Sequence, residues 1–278
     1  MRNTTKDSVY VIRPPKGLVH IDFGEIWRFR ELLYVFAWRD IKVRYKQTVL
    51  GILWAVFQPL FTMIIFTIFF GNLAKVPSDG VPYPVFVYTG LLFWNYFSTS
   101  LTNASNCLID NEAIVKKIYF PRLILPMAVV VTPLIDFAFA FVVLLVLMIV
   151  FGYLPNIIGL LLVPLFLLIS FITASGVGMF LAAINAKYRD VRYILPFFIQ
   201  LLMFLTPVIY PVSIIPRFKW VAYFNPMSGV ISSARSAMLN GSIGEWQGLI
   251  MAFLMSIFLF LFGLTIFRKT EKFFADIL

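Results

Sequence analysis

Arg39, Lys42, Arg44 and Lys46 cluster within eight positions of a chain that is otherwise poor in charge. Guanidinium and ammonium groups at this density pair with phosphate or carboxylate. A second charged stretch, "NEAIVKKIYFPR" at 111–122, lies between two apolar runs, and a third, "AKYRD", brings Lys187, Arg189 and Asp190 together. Reactive side chains are otherwise sparse. His20 is the only histidine and Cys107 the only cysteine, so a histidine-based metal site, a nucleophile–histidine pair and an internal disulfide all lack their parts. No glycine precedes a lysine, so there is no G-x-x-x-x-G-K-[ST] phosphate loop and no usual means of hydrolysing ATP. His20 is expected to be exposed. Asp136, in "PLIDFAF", is the clearest carboxylate within an apolar run. It is either a proton site or a hydrogen-bonded contact between helices, and the second is preferred because ion coupling generally needs several polar ligands near the midplane.

The elements that carry these residues belong in a membrane. Hydrophobic residues make up 61% of the 278 and charged ones 13%, about half the usual share for a soluble domain. The net charge of +10 would suit nucleic acid, but its placement argues otherwise. Six runs are long enough to cross ~30 Å of hydrocarbon: 48–71, 83–109, 122–151, 156–184, 191–212 and 246–267. Ten lysines and arginines precede the first run, and three each fall in 110–122, in 185–192 and after 267. The alternate connections hold one, none and three. Both termini are therefore expected in the cytoplasm, and topology accounts for the basic excess without nucleic acid. The first twenty residues show no cleavable leader pattern.

Residues 25–46 are too charged to span. At helical spacing Arg28, Arg39, Lys42 and Lys46 share one stripe, and Phe29, Leu33, Phe36 and Ala37 another. Trp27, Tyr34, Trp38 and Tyr45 line a third edge. The pattern predicts an amphipathic helix in the cytoplasmic interface, serving as an anchor, as the receiving site of a lipid-linked substrate, or as a docking element. Asp40 and Arg44 could pair within it. Residues 213–245 are too apolar for an ordinary loop, yet Pro211, Pro216 and Pro226 interrupt them. Two short helices dipping into the outer leaflet would fit, either as a gate or as a lid that merely packs. In the charged dozen, Asn111 or Asp110 is expected to cap a short helix running through Glu112, Ala113, Ile114, Val115, Lys116 and Lys117. Aromatic residues supply 18% of the chain. Trp54, Phe57, Phe61, Phe93, Trp94, Phe198 and Tyr210 are candidates for a surface on which sugar rings could stack and slide. Gln58-Pro59 should kink the first span, and the small polar run "STSLTNASN" in the second should face protein or water.

The order "FAWRDIKVRYKQTVLGILWAVFQPL" (36–60), "NEAIVKKIYFPR", "NAKYRDVRYILPFFIQLLMFLTPVIYP" (185–211) and "YFNPMSGVI" (223–231) resembles the permease subunit of ABC exporters for lipid-linked polysaccharides. O-antigen, capsule and teichoic-acid exporters form this family, and the resemblance runs from about residue 25 over nearly the whole chain. It implies an all-α polytopic protein of the bacterial cytoplasmic membrane, a homodimer of six-span subunits joined to two copies of a separate ABC ATPase. ATP and magnesium would be bound by that partner, with no cofactor or metal in this chain. The resemblance divides the chain into a cytoplasmic segment (1–24), an interface helix (25–46) and a transmembrane domain (47–278). Within the last, Asn111–Lys117 would be the coupling helix that docks on the ATPase and 213–240 the outer gate helices. The substrate would be a lipid-linked polysaccharide, with O-antigen preferred, and Arg39, Lys42, Arg44 and Lys46 would receive its pyrophosphate. "AKYRD" would brace the ATPase or pair locally. The rival readings are an ABC permease for drugs or simple lipids, an ion-coupled lipid flippase resting on Asp136, and a membrane glycosyl- or acyltransferase. The last lacks a catalytic cluster.

Overall fold

The computed structural model describes residues 23–46, 51–188, 190–214, 219–239, 246–271 and 273–274. His20, Arg189 and nearly all of the segment 1–24 lie outside the described residues, as does Pro216. Among the described residues the secondary structure is helical, without strands. Helix α1 is Phe23–Arg28 and α2 is Arg30–Lys46. Helix α3, Gly51–Phe66, passes through Pro59 without ending and continues as a π-helical turn, Thr67–Leu73. Helix α4 is Tyr83–Asp110 and the short α5 is Glu112–Lys117. Helices α6 (Ile124–Val131) and α7 (Pro133–Val150) abut at Thr132, where Pro133 lacks the N–H that would continue the ladder. Helix α8 is Ile157–Lys187 and α9 is Val191–Leu205. After a 3-10 turn at Val212–Ile214 come α10 (Lys219–Phe224), α11 (Pro226–Leu239) and α12 (Trp246–Glu271).

Four stretches are long and apolar enough to cross a membrane: Leu53–Leu73, Ile124–Val150, Ile157–Lys187 and Trp246–Glu271. Helix α4 is longer than three of these, but Ser, Thr and Asn lower its hydropathy, and it forms the centre of the bundle. Val85, Val87, Tyr88, Phe93 and Leu108 on it are all sealed from the surface by α8, α6, α7, α3 and α11. Its polar half does face protein. Asn185 of α8 donates to the carbonyl of Ser105 at 3.0 Å and to Asn106 Oδ1 at 3.1 Å, and Gly178 of α8 packs on Ala104. Helices α8 and α12 cross closely, with Gly176 and Gly263 facing the other helix's backbone. A Cβ on Gly263 would land on the Gly176 carbonyl, so glycine here buys close approach of two spans.

The expected boundary at 212 is too late. Helix α9 ends at Leu205, because Pro207 follows two residues on and disfavours helical geometry at Thr206, whose ψ is 138°. The two short helices expected in 213–245 are present as α10 and α11, but α11 is no surface lid. Most of its residues, from Pro226 to Met238, are buried against α12, α8 and α4.

Candidate functional site

Two polar constellations stand at opposite ends of α4, separated by ~37 Å of helix from Phe86 to Asn111. The first gathers around α2 and α5. The apolar stripe of α2 turns inward, with Phe36 and Ala37 buried and Phe36 packed on Phe120 at 5.7 Å between ring centroids. That contact brings the polar edge of α2 over the connection between α4 and α5. Asn111 occupies the first position before α5, but its side chain does not cap the helix. Its Oδ1 accepts from Arg39 Nη2 at 2.9 Å, and its Nδ2 donates to the Cys107 carbonyl at 2.8 Å. The guanidinium is the stronger partner, so the amide that could have capped α5 ties α2 to α4 instead. Arg39 also holds Asp40 at 2.7 Å.

The same end contains Asp136. Its Oδ2 lies 2.6 Å from Arg44 Nη2, and its Oδ1 accepts the Tyr45 hydroxyl. Burial, and then the carboxylate it faces, push the Tyr45 phenol well above its ordinary range, so it stays protonated as a donor. Asp136 is thus a charge-compensated contact between α7 and α2. Asp40 finds its partner in the adjacent Arg39, while Arg44 reaches the more enclosed Asp136. Tyr45 leaves the aromatic edge for the same reason. Beyond α5, Glu271 of α12 accepts the Arg122 amide at 3.0 Å, pairs with Arg268 at 2.8 Å, and offers its own carbonyl to the Arg122 guanidinium. Helix α5 is therefore held at its entrance by α2 and past its exit by α12. Within it, Lys116 pairs with Glu112 at 2.6 Å and only Val115 is buried.

The four clustered cations accordingly divide. Arg39 and Arg44 spend donors on carboxylates, whereas Lys42 sits 5.5 Å from the Trp38 ring and Lys46 is exposed. Tyr34 and Trp38 stack at 6.2 Å with an interplanar angle of 8°. Together with Val35, Arg39, Lys42, Val43 and Lys46 they line an open groove of about 390 Å³. Lys187 leans on the Tyr188 ring at 5.0 Å, the local contact in "AKYRD" that the described residues reveal.

The second constellation surrounds the break after α9, which sequence reasoning missed. The Thr206 N–H closes the last helical bond to the Leu202 carbonyl at 2.8 Å, and the strand-like backbone that follows leaves the carbonyls beyond Leu202 without helical donors. Side chains supply them. The Tyr210 hydroxyl reaches the Phe204 carbonyl at 3.0 Å, and Thr206 Oγ1 donates to Leu202 at 2.6 Å and accepts Asn225 Nδ2 at 2.7 Å. The Tyr83 hydroxyl donates to Ile209 at 2.8 Å, with its ring against Gly71 of the π-helical turn. Arg235 of α11 donates Nη1 to Pro207 at 2.6 Å, Nη2 to Val208 and Nε to the Phe86 carbonyl of α4 at 3.0 Å. Its guanidinium lies 3.6 Å from the centroid of the Phe86 ring. Arg235 is 6% exposed. One legible signal was available, an arginine within the apolar "SGVISSARSAML".

The expected aromatic path splits as well. Phe93 and Trp94 are buried inside the subunit, Phe93 against Phe137 at 5.4 Å and Phe166 at 6.2 Å. Trp54, Phe57, Phe61 and Phe198 face outward on α3 and α9, and Tyr210 is half-buried at the break. Among the described residues no group of His, Cys, Asp and Glu could hold a metal.

These features define a polytopic helical membrane protein whose buried polar groups hold helices together. Over residues 31–239 the chain matches the family described as ABC-2 type transporter, and it belongs to that family. It is 32% identical over 249 residues to an O-antigen export system permease protein RfbA of Klebsiella pneumoniae, covering 89% of this chain and 95% of the relative. A Myxococcus xanthus protein of the same name is 30% identical over 257 residues, covering 91% and 97%. The polysialic acid transport protein KpsM of Escherichia coli is 23% identical over 237 residues, covering 84% and 91%.

Proposed function

We propose that this chain is the membrane-spanning subunit of an ATP-driven exporter of lipid-linked polysaccharide, with O-antigen as the preferred substrate. The observation that carries the reading is the near end-to-end similarity to O-antigen export permeases, joined to a chain that lacks a phosphate loop of its own. Hydrolysis then falls to a separate ABC ATPase, which holds ATP and magnesium. Two copies of each subunit make the transporter, in the bacterial cytoplasmic membrane with both termini inside.

Six spans are proposed. Helices α4 and α9, shielded or shortened as they are, complete the four strongly apolar stretches. Helix α2 lies in the cytoplasmic interface, with Trp38 and Lys42 at headgroup level. Asn111–Lys117 is the coupling helix, and its anchorage by Arg39 and Glu271 supports a rigid handle for motion delivered by the ATPase. The groove along Tyr34, Trp38, Arg39, Lys42 and Lys46 is where the pyrophosphate enters, with Arg44 adding positive charge on the same helix while it pairs with Asp136. Trp54, Phe57, Phe61, Phe198 and Tyr210 border the glycan path. Helices α10 and α11 close its outer end. Asp136 offers weak support for ion coupling, since Arg44 and Tyr45 already engage its carboxylate.

Purification of the chain from its native membrane in mild detergent, followed by mass spectrometry, tests the reading. A stoichiometric ABC ATPase should accompany it, and addition of glycolipid should stimulate that ATPase. A folded chain recovered alone would overturn the assignment.

A further inference from the structure

Arg235 is the feature that the transport reading leaves unexplained. A buried guanidinium ordinarily finds a carboxylate, yet among the described residues Arg235 makes no ion pair within 4.0 Å; its hydrogen bonds go to three backbone carbonyls on two other elements. Two of these belong to the broken end of α9 and the third to α4. Helix α11 supplies the arginine, so a single side chain fastens three separate segments of the chain. The fit is close. A Cβ on Gly90, one turn along α4, would strike the guanidinium, and the Phe86 ring covers its face. A flexible donor could satisfy one carbonyl, but a planar fork of five N–H groups can satisfy all three at once.

We propose that Arg235 is the latch of the gate at this end of the bundle: a positioning residue whose three hydrogen bonds favour the closed state by binding α11 and the α9 break to α4. The inference rests on the export reading, which supplies the gate and what passes it; the contacts of Arg235 stand apart from that reading. Opening requires the 206–209 segment to leave α4 or α11, and either movement breaks bonds to Arg235. Tyr83 is the auxiliary catch, through its bond to Ile209. Asn225, bonded to Thr206, keeps the root of the segment with the α10–α11 connection.

The test uses the complete transporter, chain plus ATPase, in liposomes loaded with a small anionic dye. Without ATP, Arg235→Gln should raise dye release about tenfold or more, the shift expected when a charge-assisted hydrogen bond favouring the closed state is lost. Arg235→Lys should recover part of the seal, and ATP hydrolysis should continue while polysaccharide exported per ATP falls. Release at the wild-type level with wild-type export per ATP would overturn the latch. If Arg235→Gln does not assemble, Tyr83→Phe decides the matter, since it keeps the ring and removes one donor. A release of two- to threefold over wild type supports the latch, and no change refutes it. Dye release needs no glycolipid, so a wild-type chain that exports no polysaccharide would defeat the export reading while still reporting on the gate.

Discussion

Replacing Asp136 with asparagine separates a structural carboxylate from a proton-carrying one. Asparagine keeps the volume and can still accept the Tyr45 hydroxyl, but Arg44 loses its ion pair at 2.6 Å. The side chains are 17% and 38% exposed, between a surface pair worth under ~1 kcal/mol and a buried one costing ~3–5 kcal/mol to break. Because Arg44 is more than a third exposed, solvent screens the interaction, and about 1–2 kcal/mol is expected. For a chain of this size that is a Tm lower by ~2–8 °C. Arg44→Gln should cost at least as much, because it strands the carboxylate. The double variant should be less unstable than the sum of the two by about 1 kcal/mol, the signature of direct contact. Thermal denaturation of the detergent-solubilised complex reads the first quantity, and polysaccharide exported per ATP in liposomes reads function, which should remain within about twofold of wild type for Asp136→Asn. Abolished export with an unchanged Tm, not rescued in the double variant, would refute the reasoning and return Asp136 to proton chemistry.

Phe93→Ala should lower stability by ~3–5 kcal/mol, since Phe93 is fully enclosed against Phe137 and Phe166. Trp54→Ala and Phe198→Ala, on exposed faces, should leave the melting curve in place and slow export, a contrast read by paired thermal and transport assays. Gly263→Ala should force α8 and α12 apart and cut the yield of monodisperse protein in size-exclusion chromatography, because its methyl group meets the Gly176 carbonyl. Glu112→Lys removes the partner of Lys116 on the exposed side of α5. Membrane insertion should be unaffected while ATPase co-purification and export fall, and export at the wild-type rate would remove Glu112 from the docking surface.

Much of the architecture was legible in the chain because the bilayer imposes simple rules on sequence. Length and hydropathy mark the apolar helices and "NEAIVKK" yields a helix over Glu112–Lys117, but proline alone does not mark the breaks, since Pro59, Pro164 and Pro196 lie inside helices. The inward stripe of α2 was visible as Phe36 and Ala37. Long-range pairing was not. Arg39 seeks Asn111, 72 positions away, and Arg44 seeks Asp136, so neither remains wholly available as a surface cation. Phe93 and Phe198 carry the same side chain within apolar helices, and only packing buries one and exposes the other.

The sequence by itself determined that the chain is a helical membrane protein and that it carries no G-x-x-x-x-G-K-[ST] loop, because these follow from local composition, span length and motif. Tertiary structure decided which charges are spent in holding the molecule together and which face outward. It also decided that a lone arginine in an apolar segment closes the backbone break after α9. The physical reason is that an unsatisfied carbonyl in a dry interior must find a donor wherever the fold can bring one, and sequence distance places no limit on where that donor lies.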